Sequence, residues 1–172
     1  MGKRKGNNMQ VFTNVKTGKT VMRDAPQETK VDYDGKMMIV ELDKDGVITY
    51  ANRTLRDMLD YNKEEIVGLP YAISFHPDMP EGLYNQAFKI ANEGKIWSGY
   101  EKSITRNGQY FWTAVCVQPK YEMDKSISGY IIRKKPPEDD IIKEVQKEYS
   151  QLATLDMAEY KSEFCGELNF HG

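Results

Sequence analysis

The chain has 172 residues, with 24 Lys and Arg against 26 Asp and Glu and a net charge of −2. That length allows one domain of ordinary size with flanks, and the charge balance gives no case for nucleic acid, whose partners are usually basic. No apolar run approaches the roughly 20 residues of a membrane helix, no apolar segment follows Lys3-Arg4-Lys5 as a signal peptide requires, and two widely separated cysteines without metal spacing point to free thiols in the cytoplasm.

Residues 1–35 are polar and lack sustained periodicity, so they are expected to form a flexible basic arm with one short strand at Val11-Phe12. Positive charges alone occupy the first twenty residues, and the expected role of that start is a solvated tail. Met37 to Leu42 is apolar and β-favouring. Asp43-Lys44-Asp45-Gly46 is a turn, in which Asp tolerates tight backbone and Gly supplies positive φ. Val47 to Tyr50 returns as a second strand. Leu55, Met58 and Leu59 recur at helical spacing, with Asn52 placed to cap the helix. Lys63 to Val67 forms another turn of helix, stopped by Gly68 and Pro70.

Leu83, Ala87, Ile90 and Ala91 line one face of a helix ending near Gly94. Trp97 to Thr105 and Gln109 to Pro119 flank Asn107-Gly108, a strong hairpin signal, and predict two long strands. Ser128 to Arg133 is the last strand, and Pro136-Pro137 ends the sheet. Glu138-Asp139-Asp140 puts acids in the first turn of a further helix. Ile142, Val145, Tyr149 and Leu152 follow at spacings of three, four and three, and Asp156 and Glu159 break that seam. Two readings of the seam stand: a dimer or partner interface, or a helix packed on its own sheet.

The segment Phe75-His76-Pro77-Asp78-Met79-Pro80 lies before the third helix. Two prolines bracket an acid, and proline fixes φ. The corner is therefore stiff and aims His76 and Asp78 in fixed directions, as binding sites require. Trp97 and Trp112 sit on the strands that follow. Each is either a core residue or a wall for a flat ligand. Asn52 is either a helix cap or a ligand contact.

The order of these elements resembles a PAS domain over residues 36–135. The segments that carry the resemblance are Val40 to Asn52, Tyr61-Asn62-Lys63-Glu64-Glu65-Ile66-Val67-Gly68 and Ile127-Ser128-Gly129-Tyr130-Ile131. The resemblance implies an α+β fold, with a five-stranded antiparallel sheet, short helices on one side, and a C-terminal exit helix in the acidic stretch 136–172. Within that family, His76 to Pro80, Trp97-Ser98-Gly99 and Asn107-Gly108 resemble the sensor domain of bacterial aerotaxis receptors, which holds FAD. Carried over, His76 and Asp78 become FAD contacts, with Trp97, Trp112 and Asn52 around them.

The chain departs from that pattern at Phe75, where the family has Arg, and at Ala72, where it has Asn. A missing guanidinium removes a contact worth about 1.5–3 kcal/mol, so FMN, heme and an empty pocket stay open beside FAD. LOV-type photochemistry is not expected, because the segment Tyr71 to Phe75 lacks the required cysteine. No Walker loop, dinucleotide fingerprint or paired nucleophile points to an enzyme. The resulting expectation is a cytoplasmic redox or energy sensor. It acts as a homodimer and reports to a separate signalling protein, a membrane chemoreceptor. The alternatives are a cofactor-free interaction module and a heme sensor.

Overall fold

A computed structural model describes residues 9–138, 140–152 and 162–168. The basic start at Lys3, Arg4 and Lys5, the acid Asp139, and the seam-breaking Asp156 and Glu159 lie outside the described residues. The main sheet contains β3 (Met38–Asp43), β4 (Ile48–Ala51), β5 (Trp97–Ile104), β6 (Tyr110–Tyr121), β7 (Ile127–Lys135) and β8 (Gly166–Glu167), in the order β4-β3-β7-β6-β5-β8. Every pairing in it is antiparallel. The five expected strands are all present, and the two-residue β8 adds a sixth at the β5 edge. Between β4 and β5 run α1 (Arg53–Leu59), α2 (Lys63–Ile66), a 3₁₀ turn over Tyr71–Ser74, and α3 (Glu81–Asn92).

Strand alternation sends Met38, Val40 and Leu42 of β3, and Phe111, Val115 and Val117 of β6, to one face. They meet Leu55, Leu59, Ile66, Ile73, Leu83 and Ala87 in one core. Gly108 follows the turn logic, with φ +85° and the Ala25 carbonyl lying 2.1 Å from where a Cβ would stand.

The expected flexible arm is ordered from Gln10 onward. β1 (Gln10–Thr13) and β2 (Thr20–Arg23) form a hairpin. Asn14 pins it to α2 by donating to Glu65 O and Val67 O, both at 2.9 Å. Arg23 reaches the 3₁₀ turn and donates to Ile73 O at 2.7 Å. The segment that follows hydrogen-bonds along the β5–β6 hairpin, through Asp24 N to Arg106 O and Val31 N to Tyr110 O. These partners lie far away in sequence, so local polarity misread the segment.

The helix α4 (Ile141–Leu152) folds back over the opposite face of the sheet. Val145, Tyr149 and Leu152 are buried there, and the Tyr149 ring lies 6.0 Å from that of Trp112. The seam is therefore occupied by the chain's own sheet. Burial, then the neighbouring Cys165 thiol, hold the Tyr149 phenol far above its usual range. Its hydroxyl donates to Tyr100 O at 2.5 Å and lies 2.9 Å from Cys165 Sγ. Residues 162–168 complete a clasp on α4. Ser162 Oγ donates to Glu148 Oε2 at 2.6 Å, Glu163 N donates to Glu148 Oε1 at 2.7 Å, and β8 then joins β5. At Gly99 a Cβ would lie 2.7 Å from Cys165 Sγ and 2.6 Å from the Trp97 ring, so the clasp needs a glycine beneath it.

Candidate functional site

The corner begins with Phe75, which pairs with Ser103 at the β5 edge. It therefore meets the end of that edge away from β8, and edge cover suppresses pairing with other chains. Met79 points into the core and accepts from Lys102 N at Sδ, 3.3 Å away. His76 and Asp78 project elsewhere, to a cleft shared with Lys102, Tyr110 and Gln146. Asp78 holds Lys102 Nζ at 2.7 Å, and the ammonium sits 4.6 Å from the centre of the Tyr110 ring.

His76 is buried, and its Nδ1 accepts from Asp78 N at 3.0 Å. The ring proton is therefore on Nε2. Burial, reinforced by the Lys102 charge, pulls the imidazole from 6.5 down to about 4, so His76 is neutral at pH 7. Burial works against the Asp78 carboxylate too, but the Lys102 hydrogen bond and charge outweigh it and hold that carboxyl below its usual range.

A second polar group lies on the helix side of the sheet, and the sequence reading missed it. Glu101 is buried there, and three groups converge on its carboxylate. Tyr71 Oη donates at 3.0 Å to either oxygen, Tyr84 Oη donates to Oε2 at 2.9 Å, and Lys134 Nζ forms an ion pair with Oε1 at 2.6 Å. The Lys134 ammonium also lies 4.9 Å from the Tyr71 ring centre. Burial, then the Glu101 charge, drive both tyrosine hydroxyls well above their ordinary range, so they stay protonated donors. Phe75 closes this group from outside. It stacks on Tyr84 at 3.8 Å and 8° and stands edge-on to Tyr71 at 5.2 Å. The available signal was a charge at an inward position of a strand: Glu101 shares its parity with Trp97 and Gly99.

The five residues singled out from sequence do not form one site. Trp97 lines the interior beside Glu101 and donates from Nε1 to Gln86 Oε1 at 3.0 Å. Trp112 is an odd number of residues from Val117, the partner of Trp97 in register, so it faces the other side of the sheet, under α4. Asn52 caps α1. Its Oδ1 accepts from Leu55 N and Ile39 N at 3.1 Å, and its Nδ2 donates to Met37 O at 3.0 Å. Those bonds tie helix to strand.

The interior does not fit FAD. Its free space is ≈ 10 Å³, bounded by Tyr71, Tyr84, Trp97, Glu101 and Val115. One water needs about that much, whereas a flat cofactor needs roughly 300 Å³ or more. FMN and heme lack that room in the interior as well. Near position 75, Arg23 donates from Nη1 to the carbonyl of Ile73.

The family model for the PAS fold matches residues 36–136. The chain is 29% identical over 119 residues to the aerotaxis receptor of Escherichia coli, covering 69% of the chain and 23% of the receptor. It is 30% identical over 129 residues to the biofilm dispersion protein BdlA of Pseudomonas aeruginosa, covering 72% and 29%. The chain thus spans less than a third of either relative. The light-state LOV domain of the blue-light photoreceptor Aureochrome1 superimposes with TM-score 0.57 at 19% identity, covering 66% of this chain and 91% of that one. The PAS domain of a Colwellia psychrerythraea protein gives 0.54 at 20%, covering 59% and 86%. Both share the fold. Among the described residues no helix is long and apolar enough to cross a membrane.

Proposed function

The chain belongs to the PAS fold family, as a sensor domain related to those of aerotaxis and chemotaxis receptors, and we propose that it signals without a bound flavin. It receives its input at the corner and at α4, and passes its state to a separate chemotaxis-type protein, a membrane chemoreceptor. The observation that carries this reading is the filled interior. Where a cofactor would need space, Glu101, Tyr71, Tyr84 and Lys134 converge and leave ≈ 10 Å³. The likeness to the aerotaxis receptor supports the choice of partner. The helix α4 and its clasp support the route, since they join the face opposite the core to the β5 edge beside the corner.

A gene deletion tests the signalling role. Cells without this chain should lose migration along a gradient of respiratory electron acceptor, and the wild-type gene should restore it. A variant carrying Phe75→Ala should restore it less well, because the change loosens the aromatic closure above Tyr84. Unchanged migration after deletion would overturn the placement in a taxis system.

A further inference from the structure

The cleft at the corner, whose His76 and Asp78 the resemblance assigns to FAD, has the makings of a binding site for a smaller ligand. It encloses ≈ 380 Å³, and its walls come from elements distant in sequence. Glu28 belongs to the N-terminal segment, His76 and Asp78 to the corner, Lys102 and Tyr110 to the β5–β6 hairpin, and Gln146 to α4. His76 is only 5% exposed. Its Nδ1 is taken by Asp78 N, and its Nε2–H has no hydrogen-bond partner among the described residues. That N–H is free to donate to an acceptor that enters the cleft.

Charge narrows the class of ligand. Lys102 brings one positive charge, its side chain 10% exposed, and Asp78 and Glu28 bring two negative ones. A plain anion would meet two carboxylates. A plain cation would compete with Lys102 for Asp78, which already holds the ammonium at 2.7 Å, and would leave the imidazole N–H without an acceptor. A small molecule bearing both signs satisfies the two sets together. We infer that this cleft binds a small zwitterion of the α-amino acid type. Its carboxylate is held by His76 Nε2–H and Lys102, and its ammonium by Asp78 and Glu28. Gln146 places α4 on the same wall, so occupancy bears directly on the helix.

The test is a nuclear magnetic resonance titration of the full chain with each common L-α-amino acid singly, and with acetate and methylammonium as single-charge probes. At least one amino acid should shift the resonances of His76, Lys102 and Gln146 together. It should bind at least about tenfold more tightly than either single-charge probe. Asp78 is 65% exposed, so Asp78→Asn should leave the fold intact. That variant should weaken the amino acid about tenfold and leave acetate no weaker. The inference is overturned if no amino acid shifts those residues, if a single-charge probe binds as tightly, or if Asp78→Asn changes nothing. A flavin found in the interior would overturn the preceding reading and leave this one standing, so the two fail separately.

Discussion

Glu101 and Lys102 are neighbours on β5, yet they meet opposite surroundings. Glu101 faces the helices and lies in a closed group of two phenols and an ammonium. Lys102 faces the other way, into an open cleft shared with the corner and α4. One strand thus separates a closed polar core from an open polar cleft. The side of the sheet where a family ligand is expected is the filled side, and the accessible chemistry lies across from it.

The largest effect should come from opening the closed group. Lys134→Met removes the only cation paired with Glu101 among the described residues and leaves a buried carboxylate, which should cost about 3–5 kcal/mol. Combining it with Glu101→Leu should recover most of that loss, since the charge goes as well. Denaturant melts of the three variants check this. A double variant less stable than Lys134→Met alone would mean that the group holds the fold by shape rather than by charge compensation.

The other face makes a smaller demand. Val145→Lys buries an unpaired ammonium under α4 and should cost about 3–4 kcal/mol at unchanged oligomeric state. Sedimentation and a melting curve decide this. A change in association without loss of stability would return the seam to a partner interface.

The corner adds a pH dependence. The folded His76 pKa, about 4, lies below its ordinary 6.5, so between those values the unfolded chain binds more protons. Stability from this group is complete above pH 6.5 and falls as pH drops toward 4, by on the order of 2–3 kcal/mol. His76→Phe should flatten that part of the stability profile. An equally steep fall in the variant would assign it to other groups.

Periodicity and turns made the helices and long strands legible, because they rest on local contrasts such as Asp43 to Gly46 and Asn107-Gly108. The N-terminal hairpin was not legible, because its order depends on Asn14 and Arg23 reaching carbonyls about fifty residues away. The corner was legible as a stiff polar turn, but proline spacing does not say which side of a sheet edge it faces. Trp97 and Trp112 show the same limit. Both read as strand aromatics, and the register across Asn107-Gly108 decides that they lie on opposite faces. Glu101 and Lys134 escaped notice because each looks like an ordinary strand surface charge until the strands are paired.

The filled interior is tested most directly by an absorption spectrum of the purified full chain, taken after refolding with excess FAD and removal of unbound cofactor. The expected result is a colourless protein without flavin bands. Flavin retained on the folded chain, with its visible bands present at stoichiometric intensity, would contradict it and restore the interior as a redox site.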